Sequence, residues 1–164
     1  MKTISLFTIF LFFILSCNNE IEGTYYENQI GDTAYNPNTD NKDFKFCDST
    51  NVLHKRALIK YNGGEKALEA ELLNKFVFNP KFEHFSGYFI VRFAINCKNK
   101  TGRYRLQTLD SSFLKTKPPN QLSEHILSII KSLNGWNHPF YKGKDLDGYS
   151  FFTIKIINGE IQKT

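Results

Sequence analysis

The stretch from Gly87 to Cys97 restricts the fold of this chain more than any other part of the sequence. Apolar residues recur there at every second position, and the apolar set is Phe89, Val91, Phe93, Ile95 and Cys97. Because successive side chains of a β-strand point to opposite faces, this alternation predicts a strand with one buried face. An apolar strand face must pack against another layer, so the chain needs further strands and covering helices.

Two further strands complete the predicted sheet. Turn residues at 98–102 lead into a strand at Arg103–Leu109, which would form an antiparallel hairpin with the first strand. We interpret Gly102 as a turn glycine that supplies a positive φ. The last strand is predicted at Tyr149–Ile157, where apolar and polar residues alternate again.

Two helices are predicted from apolar residues spaced three to five positions apart. The first helix covers Glu65–Phe76, and the second covers Gln121–Leu133 after the pair Pro118-Pro119. The element order is therefore helix, hairpin, helix, strand. The simplest packing is an α+β two-layer sandwich, in which two helices cover one face of a three-stranded antiparallel sheet.

The N-terminus has the features of an export signal. One lysine precedes the apolar run Ile4–Leu15, which is shorter than the roughly 20 apolar residues of a membrane-spanning helix. The run ends in Ile14-Leu15-Ser16-Cys17, which resembles the lipobox of bacterial lipoprotein precursors. That resemblance implies a signal peptide at 1–16 and acylation of Cys17. Asn18 stands where inner-membrane retention signals usually carry Asp, so the resemblance implies lipid anchoring in the outer membrane. The alternatives are a plain signal peptide and an uncleaved anchor.

The lipidated N-terminus and a polar arm at 17–57 precede the predicted domain, which covers 58–164. Turn-forming residues are dense from Tyr35 to Asn41, and the arm contains little apolar material. We interpret the arm as a flexible tether or a loosely packed extension, since it has few side chains to bury.

Once Cys17 is assigned to the lipid, Cys47 and Cys97 remain. An exported protein meets an oxidising compartment, so we favour a disulfide between them. Two separate buried thiols are the alternative, because free cysteine is common in protein cores.

The order of the motifs resembles the TonB C-terminal domain over residues 58–158. Matching features occur in the order Tyr61-Asn62-Gly63-Gly64-Glu65-Lys66-Ala67-Leu68, Phe78-Asn79-Pro80, Gly87–Cys97, Gly102, Arg103–Leu109, Trp136-Asn137-His138-Pro139, Gly143 and Tyr149–Ile157. The resemblance implies that an edge strand pairs with an extended segment of an envelope protein. The expected edge is the last strand, with Tyr149, Phe151, Thr153, Lys155 and Ile157 as its partner-binding residues. Energy transducers of this family carry a transmembrane helix and a proline-rich spacer; this sequence shows neither, so energy transduction is not expected.

No motif in the sequence indicates an enzyme, a cofactor or a metal site. The histidines lack metal-ligand spacing, and the sequence contains no nucleophile elbow and no phosphate-binding loop. Asp145 and Asp147 could pair as carboxylates, but Asp147-Gly148 is typical of a turn. The net charge of +5 comes from scattered basic residues, which argues against a nucleic-acid surface.

Trp136 is the single tryptophan, and core packing is a better explanation for it than a binding anchor. The sequence thus predicts a membrane-anchored module that binds an envelope protein. Its alternative is a structural or envelope-assembly lipoprotein without strand addition, and an unrecognised enzyme ranks third.

Overall fold

A computed structural model describes residues 34–53 and 59–163 of the chain. Its strands are β1 (Val52–Leu53), β2 (Lys60–Tyr61), β3 (Gly87–Ile95), β4 (Thr101–Asp110), β5 (Trp136–Asn137), β6 (Phe140–Tyr141), β7 (Lys144–Asp145), β8 (Asp147–Ile157) and β9 (Glu160–Ile161). Its α-helices are α1 (Gly64–Lys75) and α2 (Asn120–Ser132). A short 3₁₀ turn covers Pro80–Phe82. The predicted signal peptide and Cys17 lie outside the described residues. Within those residues, neither helix is both long and apolar enough to cross a bilayer.

The main sheet has five strands and mixed pairing. Its order is β1-β8-β3-β4, and β9 also pairs with β8. The three long strands, β8, β3 and β4, are antiparallel to one another, but β1 runs parallel to β8. The α+β class is confirmed, whereas the sheet is larger and more mixed than the predicted three-stranded antiparallel one. The difference arises because two short strands join the outer edge of β8: β1 from the distant arm, and β9 from the segment that directly follows β8.

Both helices cover the same face of this sheet. Leu68 and Leu72 of α1 and Ile126 and Ile130 of α2 belong to one buried cluster with the apolar face of β3. Phe89, Val91, Phe93 and Ile95 are completely buried there. The alternation in the sequence therefore predicted the inward face of β3 correctly.

The arm covers the opposite face of the sheet. Phe44 packs with Ala94 of β3 and Tyr149 of β8 in a second buried cluster, and Phe46 and Val52 pack against it. Gly102 lies under the Phe44 ring, and a Cβ at this position would come within 2.5 Å of a ring carbon. The absence of a side chain at Gly102 therefore leaves space for the Phe44 ring of the arm. The expected positive φ at Gly102 is not found; in this region Asn99 and Arg103 have positive φ instead.

Candidate functional site: the groove beside strand β8

The outer edge of β8 is paired only in part by the described strands. At its start, β1 pairs Leu53 with Gly148, and at its end β9 pairs Ile161 with Ile156. Both ladders are two residues long. Thr153 lies between them, so the described ladders cover the two ends of the strand and not this position.

The backbone groups of Thr153 point away from β3. The carbonyl of Lys155 accepts a hydrogen bond from the N–H of Gln162, 2.9 Å away, on the outer side of β8. In a strand, the N–H and C=O of one residue point to the same side, and residues two apart share that side. Thr153 therefore presents an N–H and a C=O at the outer edge, where no described residue pairs with them. Such an edge is a template for an added strand.

A groove runs beside this edge, between β8 and α1, and we call it the β8 groove. Two adjoining hollows of about 210 and 620 Å³ form it, and Glu65, Leu68 and Phe152 line both. Leu72, Ile154 and Ile161 extend the apolar lining of the smaller hollow beside Thr153. Each of these apolar side chains is at least nine-tenths buried, so the groove floor is an extension of the core. The groove can hold apolar side chains of a segment that pairs with the edge.

Tyr61 and Trp136 form the wall at the far end of the larger hollow. Their rings meet edge to face, with centroids 4.9 Å apart. The Tyr61 hydroxyl donates a hydrogen bond to the carboxylate of Glu71. Burial, together with the negative charge of Glu71, raises the pKa of Tyr61 to about 12. Tyr61 is therefore neutral at physiological pH. Trp136 is buried in the core, as the sequence analysis expected.

The five residues predicted to form the binding edge have different environments. Tyr149 is buried under the arm, whereas Phe151 is 43% exposed. Thr153 lines the groove, and no described residue pairs with its outward backbone groups; Lys155 also lines the groove, with its carbonyl bonded to Gln162. Ile157 pairs with Glu160 in β9. Thr153 is thus the central position at which an added strand has room among the described elements.

The predicted cysteine pair forms at the opposite end of the sheet. Cys47 and Cys97 are bonded as a disulfide, with their Cα atoms 6.0 Å apart. Ligand-type atoms of these two residues and of Asp147 lie within 4.8 Å of one another. The disulfide occupies both sulfurs, and the Asp147 carboxylate accepts the N–H groups of Asp48 at 2.7 Å and Cys97 at 2.8 Å. The cluster therefore links the arm to the sheet.

Sequence reasoning did not predict that Asp147 binds the arm. Because Asp147-Gly148 has the composition of a turn, a turn was expected there, but Asp147 begins β8 and is buried. Sequence reasoning also missed an ion pair between Asp40 of the arm and Arg105 of β4. Both side chains are 1% exposed, and the guanidinium nitrogens lie 2.6 and 3.0 Å from the two carboxylate oxygens. The sequence shows Arg105 as a charged residue within a predicted strand, but this does not identify Asp40 as its partner.

No protein-family model matches this chain, and no curated protein or solved structure matches it significantly.

Proposed function

We infer that this protein is a binding module that recruits a protein partner through the β8 groove, with an extended segment of the partner pairing at Thr153. One observation carries the proposal: the outward backbone groups of Thr153, with which no described residue pairs, lie beside a groove that has an apolar floor. Backbone hydrogen bonds at the edge would supply affinity, and alternate side chains in the groove would supply selectivity. This activity requires binding and no catalytic group.

The proposed anchor is a lipid on Cys17, added after removal of residues 1–16, and the proposed location is the outer membrane. Such an anchor would keep the domain at a membrane surface, where its partner would be an envelope protein. The three long strands with two helices on one face support our proposal that the domain is similar to the TonB C-terminal domain. We propose binding without energy transduction.

Photocrosslinking in intact cells tests this function. A photoreactive residue replaces Thr153 in the groove, and a second protein carries it at Glu124, which is exposed on α2 and outside the groove. Side chains of adjacent strands lie about 5 Å apart, within reach of the probe. We expect a discrete protein adduct at position 153, none at 124, and loss of the adduct in Cys17→Ala. Equal labelling at both positions would refute a specific groove partner.

Proline substitution separates strand pairing from general destabilisation. The N–H of Thr153 points outward, so Thr153→Pro should remove the donor needed by an added strand and leave the β3–β8 ladder intact. The N–H of Ile154 points toward β3 and its side chain is buried, so Ile154→Pro should remove a ladder bond and a core side chain and cost about 3 kcal/mol or more. We expect Thr153→Pro to lose capture of the crosslinked partner while its melting temperature stays near that of the parent protein. Undiminished capture by a folded Thr153→Pro protein would exclude pairing at this residue.

A structural or envelope-assembly role is the second candidate, and the coverage of β8 by β1 and β9 favours it. These short strands shield both ends of the edge. In that case the anchored domain would contact a neighbouring envelope component by another surface. Retention in the outer-membrane fraction without any adduct at Thr153 would support this second candidate.

A further inference from the structure

A second surface, at the end of the sheet that carries the disulfide, has a composition different from that of the β8 groove. Strands β6 and β7 form a hairpin whose tip is Lys142-Gly143, with φ values of 50° and 77°. Positive φ at both residues is typical of a tight two-residue turn that matches the twist of its strands. Phe140 is 63% exposed and Tyr141 is 42% exposed on this hairpin. Two large aromatic side chains are thus partly exposed on one short hairpin.

Four exposed lysines lie on this hairpin and on the neighbouring turn. Lys142 and Lys144 belong to the hairpin, and Lys98 and Lys100 belong to the turn between β3 and β4. The ammonium group of Lys142 lies 5.4 Å from the centre of the Tyr141 ring. The turn segment 98–100 and the hairpin segment 140–147 together contain four lysines and two aspartates, and Asp147 is buried, so the exposed charge of this region is positive.

His138 holds the two turns side by side. Its backbone N–H donates to the side-chain oxygen of Asn99 at 2.7 Å, and its Nδ1 lies 2.6 Å from the same oxygen. Its Nε2 lies 2.8 Å from a carboxylate oxygen of Asp145 on the hairpin. The hairpin and the turn between β3 and β4 are therefore adjacent. We call their exposed residues the hairpin surface and define it as Phe140, Tyr141, Lys142, Lys144, Lys98 and Lys100.

We propose that the hairpin surface docks on a bilayer that contains anionic phospholipids. Aromatic side chains are favoured at the membrane–water interface, where an apolar ring meets the headgroups. Each lysine near an anionic membrane adds roughly a fivefold gain in affinity through electrostatic attraction. Lysine stems also extend along apolar material while their ammonium groups stay in water. This proposal concerns a different surface from the groove and stands whether or not the groove binds a partner.

The test measures burial of position 140 in the full chain reconstituted in vesicles. A trifluoromethyl-phenylalanine replaces Phe140 in one protein and Phe78 in another, and fluorine relaxation by a water-soluble gadolinium chelate reports exposure. Phe78 is the matched control because it is 44% exposed and lies outside the hairpin surface. We expect position 140 to be protected severalfold on phosphatidylglycerol-containing vesicles compared with phosphatidylcholine vesicles, and position 78 to be equally exposed on both.

A charge variant completes the design. Replacing the four lysines of the hairpin surface by glutamine leaves Phe140 in place and alters only exposed side chains, so the fold should be retained. We expect this variant to lose the phosphatidylglycerol-dependent protection. Equal exposure of positions 140 and 78 on both vesicles would overturn the proposal. Protection that follows protein concentration and ignores lipid composition would also overturn it, because it would indicate contact between two copies of the chain.

Discussion

Replacing Arg105 by methionine is expected to destabilise the protein by about 3–5 kcal/mol, because the change leaves the carboxylate of Asp40 buried without its partner. Arg105 also donates to the backbone carbonyl of Ala34 at 2.7 Å, so the same change removes a second link to the arm. Urea unfolding followed by tyrosine and tryptophan fluorescence measures the loss. Lys131→Met, at an exposed position on α2, is the control and should change stability by less than about 0.5 kcal/mol.

The double variant Asp40→Leu/Arg105→Met removes both charges of this pair. It should be markedly less destabilised than the sum of the two single changes, because no unpaired charge of the pair is left buried. Strict additivity of the two single effects would show that the two charges do not interact in the folded protein.

The same ion pair predicts acid sensitivity. Burial alone would raise the pKa of Asp40, but hydrogen bonds from Arg105 and from the backbone of Asn36, with the charges of Arg105 and Arg103, lower it below 3.8. A carboxylate with a lowered pKa in the folded state stabilises the protein above its unfolded pKa and loses that contribution as the pH falls through the folded value. The stability difference between the parent protein and Asp40→Asn should therefore shrink below about pH 3.8.

Removing the disulfide is the second large effect that we expect. Cys47 and Cys97 are separated by 50 positions, and closing a loop of that length contributes about 4 kcal/mol in the chain-entropy description. Cys47→Ser/Cys97→Ser should therefore unfold at much lower urea concentration than the oxidised parent protein. Oxidised and reduced samples of the parent protein give an independent comparison. If both comparisons show no loss, the arm is held by Asp40 and Asp147 without help from the bond.

The predictions on the ion pair and on the disulfide concern the arm, for which the sequence left a flexible tether and a loosely packed extension open. Residues 34–53 pack on the sheet through the Phe44 cluster, the ion pair of Asp40 and the disulfide of Cys47. The arm has few apolar residues, and that is why its composition indicated a loose segment. The arm is held without an extended apolar stripe by an ion pair, a disulfide and a hydrogen bond from Asp48 to Asp147. Each of these three links joins residues at least 50 positions apart.

The candidate site was predictable only in part. The position of β8 and of Thr153 follows from the alternation of the last strand, because a period of two is a local property of the chain. The wall formed by Glu65 and Leu68 of α1 depends on where that helix crosses the sheet edge, which no local pattern encodes. The pairing of β1 with the start of β8 likewise depends on contact between distant segments, whereas β9 forms a local hairpin with β8 through the turn Asn158-Gly159.

Periodicity in the sequence was sufficient to predict the three long strands, both helices and the buried face of β3, because burial of one face imposes a spacing of two or of three to four residues. Tertiary structure alone decided what the isolated polar residues and glycines do. Gly102 admits the Phe44 ring, Asp147 binds the backbone of the arm, and Arg105 pairs with Asp40. A single charged or small residue has no period, so its role depends on the distant segment that packing brings against it.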